Sequence, residues 1–219
     1  MIGIDFGGFD LSLRDYKVFA HPASLKGTIA YGIVRLSGYT ARDFLLNTWS
    51  KSGTIEIEAA FFASGKAVNY YRRDTLAFWK LPQFAEKDKT TFFKDTVKEK
   101  LKIHGIHTDL RHVTAGKKNA KIAGVEKMIT FSMIANDWLD VKFSEGEVDI
   151  IVGHATGGEV QQFKEFFHQA EYMAKRAVVV TLNTTVEEDA TKKGFVLHEK
   201  RVIERGQSKL IVQVYGKIK

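Results

Sequence analysis

The 219-residue sequence has no cysteine. Disulfides, zinc–thiolate sites, iron–sulfur clusters and thiol nucleophiles are excluded in one step. Proline is nearly missing as well, present only as Pro22 and Pro82, which rules out a Pro-rich linker. No stretch approaches eighteen consecutive apolar residues, so no transmembrane helix and no membrane partner are expected. The opening segment MIGIDFGGFD carries an acid where a secretory signal has its basic start. These absences predict a cytoplasmic or virion-associated protein.

What is present is an excess of positive charge. Lys and Arg number 33 against 26 Asp and Glu, a formal net charge of +7. Such a balance suits a nucleic acid or a phosphorylated cofactor. Two tracts concentrate it: Tyr70, Tyr71, Arg72 and Arg73, and then Lys117, Lys118 and Lys121. Cations beside aromatic rings neutralise phosphates and stack on bases. Nucleic acid held by a basic surface is therefore the expected partner.

Residue patterning divides the chain at about residue 125. In the region 1–125, Ile2–Phe6 and Gly27–Leu36 are β-branched or aromatic runs bounded by glycine, the signature of strands. Thr40–Trp49 reads as a helix capped by Thr40. Thr54–Phe62 alternates, which predicts a half-buried strand with Ile55 and Ile57 inward and Glu56 and Glu58 outward. Ala67–Tyr71 follows as its hairpin partner. Over 86–103, Phe93, Val97 and Leu101 share one stripe of an amphipathic helix. Residues 104–127, punctuated by Gly105, Gly116 and Gly124, read as an irregular loop. Within it His104, His107, Asp109 and His112 are metal-ligand types, but their spacing fits no metal motif and no metal site is assigned. Asp5 in IGIDFGG is likewise read as a strand before a glycine turn.

The region 126–219 is more regular. Met128–Ala135 and Leu139–Phe143 read as strands. VDIIVGH (148–154) is a short apolar run of the kind buried on both faces. A helix over Gly157–Arg176, a strand at Ala177–Leu182, a short helix closed by Gly194, and strands at Phe195–Ile203 and Leu210–Tyr215 complete a β-α-β-α-β-β unit. The fold class expected is α+β: a mixed twisted sheet with a strand-rich N-terminal elaboration. The turn GHATGGE between strand and helix aims backbone N–H groups at one spot, as an anion-binding loop does. Glu159 would compete for those same amides.

This order of elements resembles the C-terminal half of the GNAT superfamily of N-acetyltransferases. HATGGE stands at that family's pyrophosphate loop, VVVTLNTT at its next strand, EEDATKKGF at its short helix, and FVLHEKRV with LIVQVYGK at its terminal hairpin. The ending also looks like that of small GNAT-like phage proteins. The resemblance implies an acyl-CoA-dependent N-acyltransferase using acetyl-CoA. His154, Ala155, Thr156, Gly157, Gly158 and Asn183 would hold the coenzyme, and Glu147 or Asp149 would act as base when an amine attacks the thioester. His154 replaces the family's Gln or Arg, and Ala190 its tyrosine acid. The alternatives are a non-catalytic GNAT-like phage or viral protein that binds nucleic acid or packs in a virion, and an S-adenosylmethionine-dependent methyltransferase. In the methyltransferase reading VDIIVGHAT is the fourth strand, but it requires a cofactor glycine loop upstream, and the only glycine cluster there is Ile2–Gly8.

Overall fold

The computed structural model describes residues 3–93, 100–205 and 207–218. Its frame is a run of short apolar segments, each too short for a core helix and rich in Val, Ile and Leu. In chain order they alternate with helices: α1 (Gly27–Leu36), β1 (Leu45–Asn47), α2 (Thr54–Ser64), β2 (Ile103–His107), α3 (Leu110–Ala123), β3 (Ile129–Met133), β4 (Val148–His154), α4 (Phe163–Met173), β5 (Ala174–Leu182), α5 (Glu187–Lys192), β6 (Phe195–Arg205) and β7 (Ser208–Lys217). The strands form one seven-stranded sheet among the described residues, in the order β3-β2-β1-β4-β5-β7-β6. Strands β1 to β5 are parallel, and β7 is inserted antiparallel between β5 and β6.

Parallel neighbours require crossovers, and the crossover helices cover both faces. Ile150 and Val152 of β4, with Val178 and Val180 of β5, face α1, α2 and α3. Ile151 of β4 and Ala177 and Val179 of β5 face the other way, against Phe163, Phe166 and Phe167. Both sets are fully buried, which is why these strands read as unbroken apolar runs. Strands from residues 1–125 and from 126–219 thus share one sheet.

The C-terminal elements from Val148 follow in the expected order, but they do not make the GNAT-like half of an α+β fold. They are the second half of a doubly wound α/β sheet whose first half is β1 to β3. Three segments read as strand or loop are helical: Gly27–Leu36, Thr54–Ser64 and Leu110–Ala123. Thr40–Trp49 is not a helix but a turn followed by β1 itself. Leu139–Lys142 is one helical turn instead of a strand, and Tyr70–Thr75 is 3-10 helix instead of a hairpin arm. Of the helix expected over 86–103, one turn forms at Lys89–Phe92, Val97 lies outside the described residues, and Ile103 opens β2. The physical reason is clearest in α2. Nearly every one of its side chains is buried, Glu56 and Glu58 included, so it has no polar stripe to show the helical period.

Candidate functional site

In an open parallel sheet, ligands sit beyond the carboxyl ends of the strands, where the strand order reverses. Here that point lies between β1 and β4. Two loops border it: residues 48–53, leading into α2, and residues 155–162, leading into α4. Gly53 adopts φ 75° as the residue preceding α2. A side chain there would lie 3.0 Å from the Gly116 backbone, which lets α3 pack against this turn.

Lys51 reaches across the crevice. Its side chain is only 4% exposed, and its Nζ donates to the His154 carbonyl at 2.7 Å and to Glu159 Oε2 at 2.8 Å. The same Glu159 oxygen accepts from the Thr156 amide at 2.8 Å and the Thr156 hydroxyl at 3.2 Å, closing a capping box at the start of the helical segment. Burial acts to raise the Glu159 carboxyl, but Lys51 and Thr156 outweigh it and hold it below its ordinary range. Burial lowers the Lys51 ammonium, with Glu159 partly offsetting that.

On the β2 side the crevice is walled by imidazoles. The rings of His107 and His112 lie 4.2 Å apart, and those of His112 and His21 4.7 Å apart. His112 Nδ1 donates to the Lys51 carbonyl at 3.1 Å. His107 Nδ1 accepts the Asp109 amide at 2.9 Å, and burial, aided by His112, pushes this ring down to about 4. Asp109 itself is engaged by the Arg111 side chain and backbone as the cap of α3. Above the β1 loop, Ser24 Oγ and Ser52 Oγ are 2.6 Å apart. Asn119 is fully buried, and its amide donates to the carbonyls of Ser52 at 2.9 Å and Phe19 at 3.0 Å. The segment around residues 19–24 is thereby fastened over the crevice. What remains open, between Ser24, Asn47, Trp49, Lys51 and His154, is about 20 Å³.

Beneath the loop, Asn47 Nδ2 donates to Glu56 Oε1 at 3.0 Å. Burial pushes this fully enclosed carboxyl up to about 6. Gly105 of β2 leaves the room it occupies, since a Cβ there would lie 2.2 Å from Glu56 Oε1. Gly105→Ala is therefore expected to lower stability by about 2–3 kcal/mol, through displacement of a buried carboxylate from its partners. Urea unfolding of the two proteins at pH 7 measures this.

The pattern of the RMKL-like methyltransferase domain matches residues 14–200. The chain belongs to this family. A tRNA (guanine(6)-N2)-methyltransferase of Methanocaldococcus jannaschii is 31% identical over 206 residues, covering 88% of this chain and 54% of that protein. Ribosomal RNA large subunit methyltransferase K/L of Vibrio cholerae is 32% identical over 160 residues, 69% of this chain and 22% of that protein. The chain thus spans about half the length of the first and about a fifth of the second. A structure from Clostridium difficile 630, described as a possible methylase, aligns with TM-score 0.71 at 22% identity, over 93% of this chain and 56% of that one.

These matches correct the GNAT resemblance and, with it, the acyltransferase, acetyl-CoA and phage readings. Solved structures of the same fold include methyltransferases held with S-adenosylhomocysteine, and methyltransferase is the alternative that the family bears out. No helix of the described residues is long and apolar enough to cross a membrane.

A methyltransferase-family domain implies S-adenosylmethionine at the β1/β4 crevice, and the residues present do not fit it. A cofactor of that size needs a hollow of roughly 300 Å³ or more, whereas about 20 Å³ is open here. The crevice already holds the buried Lys51 ammonium, which disfavours a second, sulfonium cation there, and Glu159 is already occupied by Lys51 and Thr156. The ribose hydroxyls would need an acceptor carboxylate at the end of β2, where His107 stands and Asp109 is bound to Arg111.

The structure places the residues proposed for a coenzyme as follows. His154, Ala155, Thr156, Gly157 and Gly158 run along the β4 edge of the crevice, with His154 and Ala155 buried and Gly157 and Gly158 exposed. Asn183 lies at the end of β5 with φ 55°, where its Oδ1 accepts the Lys209 amide at 2.7 Å and fastens β5 to β7. Glu147 and Asp149 are at the opposite end of β4, Asp149 on the order of 16 Å along the strand from His154 and Glu147 on the order of 23 Å. Glu147 accepts from the Ser144 amide, and Asp149 from the Phe44 amide and Lys175. His104 and His107 point to opposite faces of the sheet, His104 toward Ser132 and Phe143. Among the described residues no three metal-ligand side chains converge. The residues that shape the crevice and escaped the sequence reading are Lys51, Asn47 and His21, while His112 was singled out only as a metal-ligand type. The available signal was a short strand, a glycine turn and a helix within LLNTWSKSGTIEIEAA.

Proposed function

We propose that this chain binds structured RNA of the tRNA or ribosomal RNA kind. The observation that carries this reading is a basic and aromatic band on one side of the sheet. Lys117, Lys118 and Lys121 are exposed along α3. At the carboxyl end of that helix, Tyr71 stands 63% exposed, with Lys66 over its ring at 5.2 Å, and Arg73 lies 4.2 Å over Tyr70. Between them, Tyr71, Val68 and Ile122 border a hollow of about 310 Å³. Phosphates meet the lysines there, and an unstacked base meets an aromatic face. The similar tRNA and ribosomal RNA methyltransferases support the same partner.

Methyl transfer to that RNA is the second reading; the family match favours it and the filled crevice opposes it. Fluorescence anisotropy with a labelled tRNA tests the first reading. Replacing Lys117, Lys118 and Lys121 together by alanine should weaken binding about tenfold or more and reduce the salt dependence by roughly two to three ions. Affinity and salt slope unchanged in that variant would overturn the surface assigned. Incubation with S-adenosylmethionine labelled in its methyl group tests the second reading, through counts transferred to the RNA.

A further inference from the structure

We propose that Lys51 is an internal occupant of the cofactor crevice, bridging β1 to β4 so that the domain holds its shape without S-adenosylmethionine. A bound ligand at the switch point of a doubly wound sheet does two things. It fills the space between the two loops, and it ties them together through its own polar groups. Lys51 does both. Its stem occupies the space, leaving room for about one water in the 20 Å³ that remains. Its ammonium joins the last carbonyl of β4, that of His154, to Glu159 in the following turn.

The surrounding groups are arranged for that lysine. Glu159 faces inward because its oxygen also caps the turn through Thr156. His112 holds the Lys51 carbonyl from the α3 side. The Ser24–Ser52 contact and Asn119 then seal the loop under the N-terminal segment. The loops after β1 and β4 are thus tied to each other from within the chain, through Lys51 and Glu159. Opening the site to a ligand would take the Lys51 ammonium from both its acceptors and leave Glu159 only Thr156. This inference is independent of the RNA reading, because it concerns the domain's own shape and its cofactor.

The experiment is thermal unfolding of the full chain with S-adenosylmethionine and, separately, S-adenosylhomocysteine at 1 mM, paired with titration calorimetry. A ligand at a hundred times its Kd would raise the Tm by roughly 5–10 °C for a chain of this size. The expected result is no shift and no saturable heat with either ligand. One-to-one binding of either ligand at micromolar Kd would overturn the proposal.

The bridge itself is read from a double-mutant cycle of Lys51→Gly and Glu159→Gln. Each single variant should lower the Tm, and the double should fall no further than the worse single. Strictly additive losses would overturn the bracing role. Should Lys51→Gly fail to fold, Lys51→Met keeps the stem in the hollow, removes the ammonium, and takes its place in the cycle. Failure of tRNA binding would sink the RNA reading and leave these results unaffected.

Discussion

Glu58→Ala is expected to lower folding stability by about 3–5 kcal/mol, with a Tm lower by roughly 10 °C. Glu58 sits in α2 with its side chain wholly enclosed, facing an Arg14 side chain that is 7% exposed. Its Oε1 accepts from Arg14 Nε at 2.6 Å and from the Tyr16 hydroxyl at 2.8 Å, and its Oε2 from Arg14 Nη2 at 3.3 Å. Arg14 fits there because Gly27 has no side chain; a Cβ would lie 2.5 Å from Arg14 Cγ. Removing the carboxylate leaves a guanidinium and a phenol buried without their acceptor, and that desolvation is the main loss. Glu58→Gln keeps an acceptor for Tyr16 and should cost less. Urea unfolding at pH 7 is the measurement, and a loss below about 1 kcal/mol for the alanine variant would show that the N-terminal segment is held by other contacts.

The same glutamate shows why the first half of the fold was harder to read than the second. In Thr54–Phe62 the alternation of Ile with Glu matches a half-exposed strand, which puts Glu56 and Glu58 in solvent. Both are instead inside, one held by Asn47 and the other by Arg14 and Tyr16. Partners distant in sequence make buried acids tolerable, and no local pattern announces them. Gly27–Leu36 misleads in a related way: Ile29, Ile33 and Val34 are β-branched but lie on a helix face that packs into the core beside α2.

From Val148 onward the local and global signals agree. VDIIVGH and AVVVTL are buried on both faces, Gly194 takes φ 74° after α5, and the terminal strands pair as a hairpin. That half of the fold is common to element orders of more than one family, so it suggested the wrong one. The deciding turn was the β1 loop, where a lone Gly53 follows Lys51. The expectation of a glycine-rich cofactor loop pointed away from it. The departure that hid the family is the same one that fills the crevice.

Acidification should destabilise the protein before ordinary carboxylates titrate: between pH 7 and pH 4.5 we expect a net loss of about 3 kcal/mol. His104 and His107 are both buried, and burial lowers each to about 4. Each binds a proton in the unfolded chain near pH 6.5 but resists it in the folded one. Their contribution is complete above about 6.5 and is lost as pH falls toward 4, because the unfolded state takes up more protons. His107 makes the reason concrete: its Nδ1 accepts the Asp109 amide, which a protonated nitrogen cannot do. Glu56 works in the opposite sense. Burial raises its carboxyl to about 6, so the folded state holds that proton more tightly, and stability from this group falls as pH rises from 4.5 through 6. It offsets only part of the histidine loss, since its shift is smaller and there is one such group against two. His104→Phe places a ring of similar size between Ser132 and Phe143 and removes one titration, so about 2 kcal/mol of the acid loss should disappear. Stability determined from urea unfolding at pH 7, 6 and 4.5 checks both statements. A curve that is flat, or that rises toward pH 4.5, would mean that these imidazoles are solvated in the folded protein and the sheet is less tightly closed around β2 than its burial indicates.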